Sequence, residues 1–192
     1  MNTVPDWLNA ALPPAARNAG LAVVRLGDER GLGKGGLKLT SPAFNAGEEL
    51  DPCFTANEED AVAPPLEWTA PPPGTQELAV IVEDATSDAR CHWLVWGLSG
   101  QRGKLLEGEV PPRTGKNALG NSEWLLPDLP IGETHTFVFQ LFALDLPLTL
   151  MPGASRDELL AALDGHVIAS ALLVAQYTPS EDGEDDWVDD EF

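Results

Sequence analysis

The chain has 192 residues, 43% of them hydrophobic, and a formal net charge of −20. That length suits one well-packed domain and is short for two. The charge excludes nucleic acid and anionic membrane surfaces as partners, because both need a basic face.

Eight of the 31 acidic residues fall in the last twelve positions, EDGEDDWVDDEF. An acidic tail from Pro179 onward is therefore expected to be disordered. Trp187 and Phe192 within it offer a short motif for a basic protein partner. Seventeen prolines and 18 glycines favour short strands and turns over long helices. Cys53 and Cys91 read as free thiols, with a single disulfide as the alternative. The N-terminus lacks a basic stretch followed by a long apolar one, and no run approaches the roughly 18 apolar residues of a membrane span. A cytoplasmic protein without stable membrane insertion is expected; a dimer is left open.

Residues 1–36 read as a lead-in. Asp6 to Ala11 fits one or two helical turns before Pro13 and Pro14 stop them, and Leu21–Leu26 is apolar enough for an edge strand. The glycines of GDERGLGKGG (27–36) are not a phosphate loop, because Gly35, not Ser or Thr, follows Lys34. Leu37–Thr40 opens the compact domain as a short strand, and the prolines of 41–68 rule out continuous helix there. Glu77–Val82 is a buried strand by its Val and Ile content. His92–Leu98 is the next. Strict alternation puts His92, Leu94 and Trp96 on one face and Cys91, Trp93 and Val95 on the other. Neighbours on a strand point apart, so Cys91 and His92 do not form a nucleophile–base pair. Residues 99–132 read as a long loop of the kind that carries function. His135–Leu144 is a long strand. Ser155 with Glu158 forms a capping box that opens a helix over Leu159, Leu160 and Leu163, ended by Gly165. His166–Tyr177 is read as the last strand, with a capping or packing role for His166.

Several segments in this order carry a family likeness: LTSPAF (39–44), APPLEW (63–68), PPGTQELAVIVED (72–84), CHWLVW (91–96), HTFVFQLFALDLPL (135–148) and PGASRDELLAALDGHVIASALLVAQY (152–177). Over residues 37–178 the chain resembles the phosphatidylethanolamine-binding protein family, and within it the bacterial branch called Raf kinase inhibitor-like. The resemblance implies a mainly β fold, an antiparallel β-sandwich with one or a few short peripheral helices. It also implies a small pocket for phosphate-like anions and phospholipid head groups, lined here by Asp84, His92 and His135. The sequence departs from the family pattern in three places. Asp84-Ala85-Thr86 stands where Asp-Pro-Asp is usual, Phe137 stands where a tyrosine is usual, and Gly120–Pro130 replaces a Gly- and Pro-rich wall.

The resulting expectation is non-catalytic binding of a small anionic or phospho-ligand. Asp84 would orient an imidazole, His92 and His135 would both donate to the ligand, and Trp124 and Pro130 would form the wall. No cofactor is implied. A two-histidine, one-carboxylate metal set is the weaker use of the same three residues, since no sequence spacing supports it. Hydrolysis lacks an assigned nucleophile. The alternative function is a protein-interaction or regulatory module using the acidic tail or the surface loops.

Overall fold

A computed structural model describes residues 3–181. The acidic tail expected from residue 179 lies, from residue 182 on, outside the described residues, as do Trp187 and Phe192. Among the described residues eight strands and three α-helices are formed: α1 (Asp6–Ala11), α2 (Ala22–Leu26), β1 (Leu39–Thr40), β2 (Leu66–Trp68), β3 (Glu77–Asp84), β4 (Arg90–Ser99), β5 (Gly103–Leu105), β6 (Arg113–Thr114), β7 (His135–Leu144), α3 (Arg156–Leu163) and β8 (Val167–Tyr177). The strands make a five-stranded antiparallel sheet in the order β6-β4-β3-β7-β8 and a three-stranded antiparallel sheet in the order β1-β2-β5.

The large sheet is apolar on both faces, which is why β3 and β7 read as nearly continuous hydrophobic runs. One face carries Val80, Val82, Trp93, Val95, Phe137, Phe139 and Leu141, packed against Leu39, Leu66, Trp68 and Leu105 of the small sheet and against Phe54 and Trp124 from loops. This is the sandwich core. The other face carries Ala79, Ile81, Leu94, Trp96, Val138 and Phe142, covered by all three helices through Leu8, Ala22, Val23, Leu159, Leu160 and Leu163. The outer edge of β8 is met by two loop segments, each through an isolated bridge. Gly33 and Ser170 are joined by a backbone bond from one, and Leu50 and Gln176 by a bond from the other. An unpaired edge of that length would invite association with another chain.

Two expectations are corrected. Leu21–Leu26 forms helix α2, not an edge strand. Its first amides find acceptors on the large sheet: Ala22 N–H donates to Glu83 Oε1 (2.7 Å) and Val23 N–H to Gln140 Oε1 (2.8 Å). Those partners lie 61 and 117 residues away in sequence, so local pattern carries no sign of them. The segment read as a lead-in thus supplies core to the sheet's second face. The expected long loop of 99–132 contains β5 and β6. The capping box at Ser155 and Glu158 forms as expected and starts α3. Both cysteines are free.

Candidate anion site

The site follows from strand direction. β3 ends at Asp84, and its antiparallel neighbours β4 and β7 begin at Arg90 and His135, so three strand ends meet. In the β3–β7 register Asp84 faces Phe137. Asp84 and His135 therefore continue the sandwich-core face of Val82 and Phe137.

His92 reaches that face through an irregularity. Val82 pairs with Trp93, but Glu83 pairs with Cys91, which leaves His92 as the extra residue of a β-bulge. The bulge keeps His92 on the same face as Trp93, while Cys91 joins Leu94 and Trp96 on the helix-covered face. This corrects the expectation that His92 shares a face with Leu94 and Trp96. Cys91 and His92 do point apart. Burial pushes the Cys91 thiol up to about 12, with the Glu83 carboxylate adding to the effect.

His135 Nδ1 lies 2.5 Å from Asp84 Oδ2. Asp84 is buried, and its other oxygen accepts from Thr86 N–H at 2.9 Å. The Thr86 hydroxyl accepts from Thr136 N–H, so the turn and the start of β7 hold each other in place. His135 keeps 16% of its side chain exposed, and its Nε2 stands 3.5 Å from the exposed carboxylate of Glu133.

The His92 ring is buried and meets Phe137 edge-on at 5.1 Å and Trp124 at 6.2 Å. Its Nδ1 lies 2.7 Å from the Leu125 carbonyl, and Leu125 N–H donates to the His92 carbonyl at 2.8 Å. This two-point clamp fixes the ring's tautomer. A carbonyl only accepts, so the proton sits on Nδ1 and Nε2 carries a lone pair. Burial is the main force holding the imidazole below its ordinary value. Arg90 and His135 act in the same direction, against the Leu125 carbonyl and Asp84. The expectation of two donating histidines is thereby corrected: His92 has spent its N–H on Leu125.

A pH effect on stability follows. The folded chain binds a proton at His92 less readily than the unfolded chain, whose imidazole titrates near about 6.5. Stability tied to neutral His92 is therefore complete above that value and is lost as pH falls through the lowered native value. Urea midpoints at two pH values, one on each side of about 6.5, should show a smaller acid-side loss for His92→Asn than for the parent chain.

Trp124 is a core residue next to the site. It is buried, its Nε1–H donates to the Phe54 carbonyl at 3.0 Å, and its ring stacks on Phe139 and meets Trp93 edge-on. Pro130 is exposed on the turn before β7, where its carbonyl accepts from Glu133 N–H. A cavity of about 410 Å³ is lined by Val62, Trp93, Asn117, Trp124 and Leu125 among others, and Asp84, His92 and His135 are not among its lining residues. Among the described residues no group of three or more His, Cys, Asp or Glu side chains is arranged to hold a metal ion.

Sequence reasoning missed Leu125 and Asn117. Asn117 shapes the loop that delivers Trp124 and Leu125: its amide donates to the Glu123 carbonyl, and its oxygen accepts from Leu119 and Asn121 N–H. No residue-type signal marks a backbone carbonyl as a ligand for an imidazole.

The family model described as phosphatidylethanolamine-binding protein matches residues 40–178. The chain belongs to the phosphatidylethanolamine-binding protein family. A UPF0098 protein of Methanothermobacter thermautotrophicus is 32% identical over 153 residues, covering 73% of this chain and 98% of that protein. Among solved structures, a family homologue from Chlamydia trachomatis is 31% identical with a TM-score of 0.69, covering 75% of this chain and 98% of that one. Escherichia coli YbcL is 22% identical with a TM-score of 0.66, covering 75% and 99%, and it supports the fold alone. The family match begins after helices α1 and α2, so the N-terminal cover of the sheet lies outside it.

Proposed function

We propose that this chain binds a small anionic or phospho-ligand, without chemistry on it, at the meeting point of β3, β4 and β7. The observation that carries the reading is the Asp84–His135 contact. A carboxylate that is itself buried and held by Thr86 orients the ring through Nδ1. Nε2 is then the atom offered to a ligand. Asp84 is the positioning residue, His135 the donor, and His92 a second polar wall of the site. The helix-facing position of Cys91 and its raised thiol leave it outside this chemistry.

No described helix is long and apolar enough to cross a membrane. Two unpaired cysteines favour a reducing compartment, which supports a cytoplasmic location.

Calorimetric titration with inorganic phosphate tests the reading. His135→Ala removes a charge-assisted hydrogen bond worth about 1.5–3 kcal/mol, so binding should weaken roughly ten- to hundredfold. Because His135 is at the surface end of β7, the variant should fold. Equal affinity in the parent and variant chains would refute the role of His135.

A further inference from the structure

The loops beside β4 enclose a cavity of about 410 Å³ that Asp84, His92 and His135 do not line. We propose that this cavity binds a small organic cation, an ammonium group carried on an aromatic or branched aliphatic body. The proposal does not rest on anion binding.

The volume lies within the roughly 300–1,000 Å³ of small-molecule sites. The deep part of the lining is aromatic: Trp93 and Trp124 are both buried and meet edge-on at 5.6 Å. Val62, Val110 and Leu119 also line the cavity and are exposed, Val110 at 85%. A cluster of large apolar side chains left in water above an aromatic floor fits the apolar body of a ligand.

The walls are held in place by the fold. On one side Gly108 N–H donates to the Ala63 carbonyl at 3.0 Å and Val62 N–H to the Cys53 carbonyl at 3.1 Å. On the other, Ala118 N–H donates to the Cys91 carbonyl at 2.9 Å and Leu125 N–H to the His92 carbonyl at 2.8 Å, both on β4. The Asn117 side chain holds the loop between those two bonds. Walls already hydrogen-bonded to the sheet lose little freedom when a ligand enters.

Charge selects the occupant. Glu109 and Glu123 line the cavity, and among the described residues no Lys, Arg or His does. Arg113 and Lys116 are neighbours in the chain of lining residues, but both are engaged elsewhere. Arg113 donates to the Leu148 and Leu150 carbonyls, and Lys116 lines a different cavity with Ser155 and Asp157. An anion entering here would meet two like charges. An ammonium group would meet two carboxylates, and indole is the strongest of the aromatic partners for a cation. Both glutamates are exposed, so their pull is modest and the apolar body supplies most of the affinity.

The test titrates phenethylammonium, the neutral phenethyl alcohol and the anionic phenylpropionate into the full chain near neutral pH, reading the indole N–H signals. Phenethylammonium should shift Trp93 and Trp124 in a saturable way. It should bind at least about threefold tighter than the alcohol and about tenfold tighter than the anion. Trp68 and Trp96, which do not line the cavity, should stay still. Combining Glu109→Gln with Glu123→Gln changes two exposed side chains, so the chain should fold, and the ammonium should then bind no better than the alcohol. Equal binding of alcohol and ammonium to the parent chain would overturn the proposal, by making the cavity apolar without charge selection. A preference that survives in the double variant would overturn it as well, as would the absence of any saturable shift. The other occupant for the exposed rim is a second copy of the chain. A dimer in sedimentation that excludes phenethylammonium and that Val110→Asp dissociates would decide for that copy and against the cation.

Discussion

Replacing Glu83 with alanine should lower the unfolding free energy by about 3 kcal/mol or more. Glu83 is fully buried in the middle of the large sheet, yet it is a charged side chain on the helix-covered face. It survives there because each oxygen is used. Oε1 accepts from Ala22 N–H at 2.7 Å and from Gln140 Nε2 at 2.9 Å, and Oε2 accepts from Arg156 Nε at 2.7 Å. Arg156 goes on to donate to the Gly20 carbonyl at 2.8 Å. One carboxylate thus ties β3 to β7, α2 and α3. Alanine would leave three donors without their acceptor, and breaking a buried pair costs about 3–5 kcal/mol. The low end applies here because Arg156 is 28% exposed and can recover water. Glu83→Gln keeps an acceptor and should cost less, about 1.5–3 kcal/mol for the lost charge assistance. Urea unfolding of both variants measures the difference. A Glu83→Ala chain as stable as the parent would mean that α2 is held by apolar contact alone.

Trp124→Ala should be comparably destabilising, at about 3–5 kcal/mol, the usual cost of truncating a large buried aromatic. The indole fills the space between Phe139, Trp93 and His92 and is anchored by its bond to the Phe54 carbonyl. The neighbouring residue, Leu125, clamps His92, so loss of the indole should also free the His92 ring from its single tautomer. Trp124→Phe retains most of the packing and loses one hydrogen bond, worth about 1 kcal/mol. Urea midpoints rank the three chains. A phenylalanine variant as weak as the alanine one would shift the weight from packing to the Phe54 bond.

Much of the architecture could be read before any coordinates. His135–Leu144 is legible because ten consecutive residues include apolar side chains on both faces and end in a turn. The start of α3 is legible because a capping box is a purely local arrangement. The family likeness likewise placed Asp84 and His135, which do meet. What failed was non-local. Helix α2 is a five-residue segment, apolar except for Arg25, whose type is decided by Glu83 and Gln140 of the sheet beneath it. The face of His92 was assigned by counting alternate residues along β4. One extra residue opposite β3 reverses that count, and only the partner strand's register reveals it. The donor role given to His92 failed for a similar reason: its partner is a backbone carbonyl 33 residues away. The Asn117-centred loop has the composition of an ordinary turn, although it positions that carbonyl.

The ring resonances of the two histidines provide the most direct test that Asp84, His135 and His92 form one anion site. Inorganic phosphate titrated into the labelled full chain should shift the His135 ring signals in a saturable way. The His92 ring should move with the same midpoint, while His166, paired with Asp145 at the start of β8, stays still. Unchanged His135 and His92 signals at millimolar phosphate, or shifts of all three rings that never saturate, would contradict the assignment.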